Sequence, residues 1–122
     1  MNLEIKFPVN TNKATNQEVT ELANMLQFNL KVPFTRDVEM QDPNRYGMLN
    51  GLSMSHLNPN IFGALHTVLK YYQEQKPYYL VVIQDGTTLH DMAKLPLEEF
   101  KSVAGRAIDG IQIAVNQREN AN

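Results

Sequence analysis

KVPFTRDVEMQDPNRYGMLNGLSMSHL, residues 31–57, holds two prolines, two glycines and no long apolar run. A structureless loop of this length is uncommon in a compact domain, so the segment should carry elements of its own. Phe34, Val38 and Met40 alternate with Thr35, Asp37 and Glu39, the period of two of a half-buried strand. Asp42-Pro43-Asn44 then supplies turn chemistry, and Tyr46, Met48, Leu52 and Met54 resume the alternation. The reading is a β-hairpin, and the topology of the whole chain hangs on it.

Upstream, Leu3, Ile5 and Phe7 alternate with Glu4 and Lys6, a first strand that Pro8 stops. Thr15 and Glu18 have the spacing of a capping box, and Val19, Leu22, Ala23 and Leu26 follow at helical spacing. That predicts a helix over about residues 15–29. Downstream, Asn58 can cap a helix with Pro59 at its first position, since proline there gives up only a donor without a partner. Ile61, Leu65, Val68, Leu69 and Tyr72 form its inward stripe, and Pro77 ends it.

Tyr78 to Gln84 is nearly continuous apolar sequence, as in a strand covered by helices. Asp85-Gly86 suits a type I′ turn, which returns Thr87 to Met92 as a partner strand. From Pro96 a helical stripe of Leu97, Phe100, Val103, Ala104, Ala107, Ile108, Ile111, Ala114 and Val115 predicts one long helix to residue 117. The small residues Ala104, Gly105, Ala107, Gly110 and Ala114 on it allow close approach of another element, including a second subunit of a homodimer.

The expected fold class is therefore α+β. The element order is the β-α-β-β-α-β of ferredoxin-like folds, with an added C-terminal strand and long helix. If residues 31–57 are irregular, the alternative is a three-stranded antiparallel sheet packed on three helices. The chain of 122 residues is the size of one domain, read as residues 1–117 with a flexible tail at 118–122.

Composition narrows function by exclusion. There are no cysteines, hence no disulfide, thiolate nucleophile or cysteine metal site, and a reducing, cytoplasmic setting is expected. No basic and apolar leader and no membrane-length apolar run is visible. Net charge −2 with scattered lysines and arginines gives no electrostatic pull toward nucleic acid. Thirteen asparagines suggest an AT-rich coding source such as a phage or mobile element.

The three histidines, His56, His66 and His90, lack metal-ligand spacing, so no metal and no cofactor is expected. His66 reads as a half-exposed boundary residue and His56 as a loop residue. His90 with Asp85 or Asp91 is the nearest approach to an acid–base pair. Adjacent strand residues point to opposite faces, so His90 and Asp91 do not form one dyad. No GxSxG, SxxK or glycine-rich phosphate loop occurs, and no catalytic residue is assigned. RYGMLNGLSM holds only one aromatic residue, too few for an RNA-stacking strand.

Arg36, Met40, Arg45, Tyr46 and Met48 cluster on the hairpin, and arginine, tyrosine and methionine suit binding hot spots. The leading expectation is a non-enzymatic binding protein, a small accessory or inhibitor factor that occupies a partner protein. The alternative is a small-molecule or nucleotide-binding protein. It would hold an anionic ligand at Arg36, Arg45, His90 and Arg106 in a dimer interface, where the guanidinium fork matches phosphate.

Overall fold

A computed structural model of the chain describes residues 2–7, 13–42, 45–55, 57–107 and 109–117, with side chains described outside 13–16, 36–50 and 117. The elements are β1 (Leu3–Phe7), α1 (Lys13–Leu30), β2 (Thr35–Asp42), β3 (Arg45–Met54), α2 (Phe62–Gln75), β4 (Tyr79–Asp85), β5 (Thr88–Asp91), α3 (Leu97–Arg106) and β6 (Ile111–Gln117). One-turn 3₁₀ helices precede α2 and follow β5, at Pro59–Ile61 and Met92–Lys94. The six strands form one mixed sheet in the order β2-β3-β1-β6-β4-β5.

The hairpin over 31–57 is formed. β2 pairs antiparallel with β3, bringing Arg36 opposite Leu52 and Met40 opposite Met48, with an irregularity between Met40 and Asp42. The turn at Pro43 and Asn44 and the residue His56 lie outside the described residues. A three-stranded sheet is accordingly excluded, while the three helices of that alternative are present.

The long terminal helix is not formed. The helix ends at Arg106, Gly110 turns the chain at φ 127°, and Ile111–Gln117 becomes a strand between β1 and β4. Ile111, Ile113 and Val115 are buried, with Gln112, Ala114 and Asn116 between them less so. These residues satisfy a helical spacing and a period of two alike. Their β-branched side chains, and a glycine whose positive φ the helix cannot hold, decide for the strand. The small-residue stripe is thereby divided between α3, its exit turn and β6, and no longer forms one helical face.

β6 runs parallel to β1 and antiparallel to β4. Through β4 the chain follows the order β-α-β-β-α-β, but β6 separates β1 from β4 in the sheet.

One core holds the fold. Leu3, Ile5, Phe7, Val81, Ile83, Ile111, Ile113 and Val115 from the strands pack against Val19, Leu22 and Leu26 of α1, Leu65, Leu69 and Tyr72 of α2, and Phe100, Val103 and Ala104 of α3. All three helices therefore bury their stripes against the same face of the sheet. The alternate residues of β1, Glu4 and Lys6, are not buried. Val82 is only 5% exposed yet stands apart from this core, because it belongs to the opposite face.

Two side chains close ends that the sheet leaves open. α1 starts two residues before Thr15, and Glu18 accepts hydrogen bonds from the phenols of Tyr78 (2.7 Å) and Tyr79, so it staples α1 to β4 where a capping box was expected. The Glu18 hydrogen bond raises the pKa of Tyr78, and burial, aided by Glu18, raises that of Tyr72. Gln73 on α2, 4% exposed, accepts from the Val81 N–H at 2.6 Å and donates to the Tyr79 carbonyl. β5 reaches β4 only as far as Val82, so the Gln73 amide takes the place of a missing strand.

Candidate functional site

Two places on the sheet bring polar and apolar chemistry together. The first is the face that carries no helix among the described residues. Register aligns Gly51, Lys6, Ala114, Val82 and Asp91 in one row across five strands. Beside it run Ser53, Glu4 and Gln112, then Gln84 and Leu89. Ala114 is the smallest side chain between Lys6 and Val82, and the dip it leaves is a shallow groove of about 180 Å³ lined by Lys6, Val82, Gln84, Leu89, Gln112 and Ala114.

The floor of this groove is apolar and its rim is polar. Leu89 stands 60% exposed on one wall. Lys6 lies at the other end, 3.7 Å from the Glu4 carboxylate, so its charge is partly balanced. A volume of about 180 Å³ falls below the roughly 300–1,000 Å³ typical of small-molecule sites. It accommodates a side chain of another protein better than a nucleotide.

The second place is the helix-side edge at the β4–β5 hairpin. Asp85 Oδ2 accepts from Arg106 Nη2 at 2.7 Å and from His90 Nε2 at 3.2 Å. Asp85 ends β4, His90 sits two residues along β5, and Arg106 is the last residue of α3, so three elements meet at one carboxylate. Hydrogen bonds first from Arg106 and then from His90 hold the Asp85 pKa below the usual carboxylate range, and Asp85 in turn raises that of Arg106. The hairpin itself turns on Gly86 and Thr87, with positive φ confined to Gly86 (60°). This is the arrangement of a type II′ turn and not the expected type I′.

The sequence-derived candidates divide accordingly. His90 and Arg106 are brought together, with Asp85 between them. Asp91 is directed elsewhere, since its carboxylate accepts from Ala93 N–H at 2.9 Å and caps the 3₁₀ turn after β5. His66 is not a boundary residue. It is 7% exposed, lies 5.3 Å from the Phe100 ring, and its Nε2 donates to the Leu95 carbonyl at 2.7 Å. The carbonyl comes from the β5–α3 connection, 29 residues away, which no local pattern could reveal. Arg36, Met40, Arg45, Tyr46 and Met48 fall on β2 and β3, and their side chains lie outside the described ones.

Sequence reasoning missed the groove because Ala114 had been placed on a helix. The signal was the alternation of Gln112, Ala114 and Asn116 with buried β-branched residues. Among the described residues no group of three or more His, Cys, Asp or Glu is arranged to hold a metal ion, and no helix is long and apolar enough to cross a membrane. No protein-family model, curated protein or solved structure matches the chain.

Proposed function

We propose that this chain is a non-enzymatic binding protein, a small accessory or inhibitor factor that acts by occupying a partner protein with the uncovered face of its sheet. The observation that carries the reading is the one-sided placement of the helices. It leaves Leu89 exposed beside Ala114, over a nearly buried Val82, with Lys6, Gln84 and Gln112 around them. An apolar centre within a polar rim is the composition of a protein-binding patch. The β2–β3 hairpin, with Arg36, Met40, Arg45, Tyr46 and Met48, belongs to the same sheet and is read as a second contact.

The scaffold is read as a split βαβ core of ferredoxin-like kind into which β6 has been inserted. A cytoplasmic setting and a phage or mobile-element origin accompany this reading, on the cysteine-free and asparagine-rich composition. The alternative, a small anionic ligand held by Arg36, Arg45, His90 and Arg106 in a dimer interface, has weaker support. The Arg106 guanidinium is already met by Asp85 at 2.7 Å.

The test places a photoreactive amino acid at Gln112 and irradiates cells of the source. The expected result is a discrete adduct heavier than the chain, lost when Ala114→Arg fills the groove with a long side chain whose charged end still reaches water. Absence of an adduct, or an adduct indifferent to Ala114→Arg, overturns the groove as the docking face. Arg36→Glu with Tyr46→Ala tests the hairpin in the same assay.

A further inference from the structure

The two edges of the sheet are unlike. β2, at one edge, carries Arg36, Asp37, Glu39 and Asp42 and an irregularity between Met40 and Asp42, the devices that keep edge strands from pairing with other chains. β5, at the other, has one such device, its length of four residues (Thr88, Leu89, His90 and Asp91), but neither lysine, proline nor irregularity. Across the Gly86-Thr87 loop, Asp85 pairs with Thr88 and Ile83 with His90. In a two-residue hairpin these are the pairs that exchange hydrogen bonds, so the N–H and C=O of Leu89 turn to the outer edge. The residue offering this open backbone is also a large hydrophobe, 60% exposed.

We propose that β5 is the docking edge for a second copy of this chain. The two β5 strands run antiparallel about a dyad through Leu89, joining two six-stranded sheets into one. In this register Leu89 meets Leu89 of the second copy, Thr88 meets His90, and Thr87 meets Asp91. No like charges are opposed. The occupant is argued from this self-complementarity. Dyads through Val38 or Glu39 of β2 instead oppose Asp37 to Glu39 or Glu39 to itself, and like charges directly opposite destabilise a strand pair.

The Asp85–His90–Arg106 contacts fasten the β4–β5 hairpin to α3, so the edge is presented as a fixed template. Pairing places the grooves of two copies side by side on one continuous face, but it does not depend on the grooves being occupied. Ala114→Arg leaves the dimer intact, so failure of the groove reading and failure of this one are distinguishable.

The experiment is sedimentation equilibrium of the full chain over a wide concentration range, with three variants. Leu89→Pro deletes an outward N–H and costs β5 none of its bonds to β4. Leu89→Lys sets a charge against itself across the dyad and leaves the backbone untouched. Leu89→Cys exploits the absence of native cysteine. A hydrogen-bonded antiparallel pair holds its Cα atoms about 5.5 Å apart, within disulfide range. The expected results are a concentration-dependent wild-type dimer, monomers for Leu89→Pro and Leu89→Lys with unchanged circular dichroism, and a covalent dimer of oxidised Leu89→Cys that Glu39→Cys does not give. A wild-type monomer at every concentration overturns the proposal. So does a dimer that survives Leu89→Lys, or equal crosslinking by Glu39→Cys.

Discussion

Replacing Gln73 by methionine keeps the length of the side chain and removes both hydrogen-bonding groups. The Val81 N–H, bonded at 2.6 Å, then loses its partner where no strand can replace it, because β5 stops opposite Val82, and the Tyr79 carbonyl loses the bond it accepts from the amide. Val81 is fully buried and Tyr79 nearly so. An orphaned buried N–H costs about 1–3 kcal/mol and a lost hydrogen bond about 0.5–1.5 kcal/mol, so the two together cost roughly 1.5–4.5 kcal/mol. Against a total stability of roughly 5–15 kcal/mol this is a large fraction. For a chain of this length about 4 °C of Tm accompanies each kcal/mol, giving a fall of roughly 6–18 °C. Urea unfolding checks it as a lowered midpoint at unchanged m-value. Gln73→Glu separates the two bonds. Its carboxylate accepts from Val81 but opposes the Tyr79 carbonyl with no donor, so its deficit should shrink on acidification, when the carboxyl regains a proton. A loss under about 0.5 kcal/mol in Gln73→Met, the range of an ordinary surface substitution, would refute the reasoning.

Three further outcomes are expected. Asp85 titrates lower in the folded chain than its unfolded value near 3.9, so its tether to Arg106 and His90 contributes stability above about pH 4 and loses it as pH falls through the folded value. The Tm gap between wild type and Asp85→Asn should therefore be constant from pH 5 to 7 and close below about pH 4, followed by thermal scans. Gly110→Ala should destabilise by more than about 1 kcal/mol in urea unfolding. A Cβ at Gly110, held at φ 127°, would lie 3.0 Å from the Asn2 carbonyl, the acceptor of the Ile111 N–H that starts the β1–β6 pairing. Glu18→Ala should bring the Tyr78 phenol back toward its ordinary titration near pH 10, read by NMR of ring-labelled tyrosine, since the Glu18 hydrogen bond is the main cause of its raised pKa.

Elements closed by neighbouring residues were legible. β1 matches its predicted range, and the β2–β3 and β4–β5 hairpins stand where alternation and turn residues put them. Asn58 caps the Pro59 turn by accepting from Asn60 N–H at 3.0 Å. What failed was long-range. β6 is held by β1 and β4, partners roughly 110 and 35 residues away in sequence. Its Ile-Gln-Ile-Ala-Val pattern is equally compatible with a helical continuation until those partners are present. His66 failed for the same reason, and so did Glu18, whose ligands Tyr78 and Tyr79 lie 60 and 61 residues downstream.

The misread element is also the one that makes the site. Were residues 107–117 helical, β1 and β4 would be the neighbours, and Lys6 would face Val82 without an intervening residue. Inserting β6 between them widens the sheet by one strand, about 4.8 Å, and sets Ala114 at the crossing of the Lys6 and Val82 rows. A larger side chain there would fill the dip; alanine leaves it open. The same insertion displaces the β4–β5 hairpin outward by one strand, but β5 is the terminal strand with or without it, so the groove alone follows from β6 entering the middle of the sheet. Ala114→Arg and Leu89→Lys then address the groove and the edge in turn, and because both side chains line the one groove, their effects on stability should couple by more than about 0.5 kcal/mol.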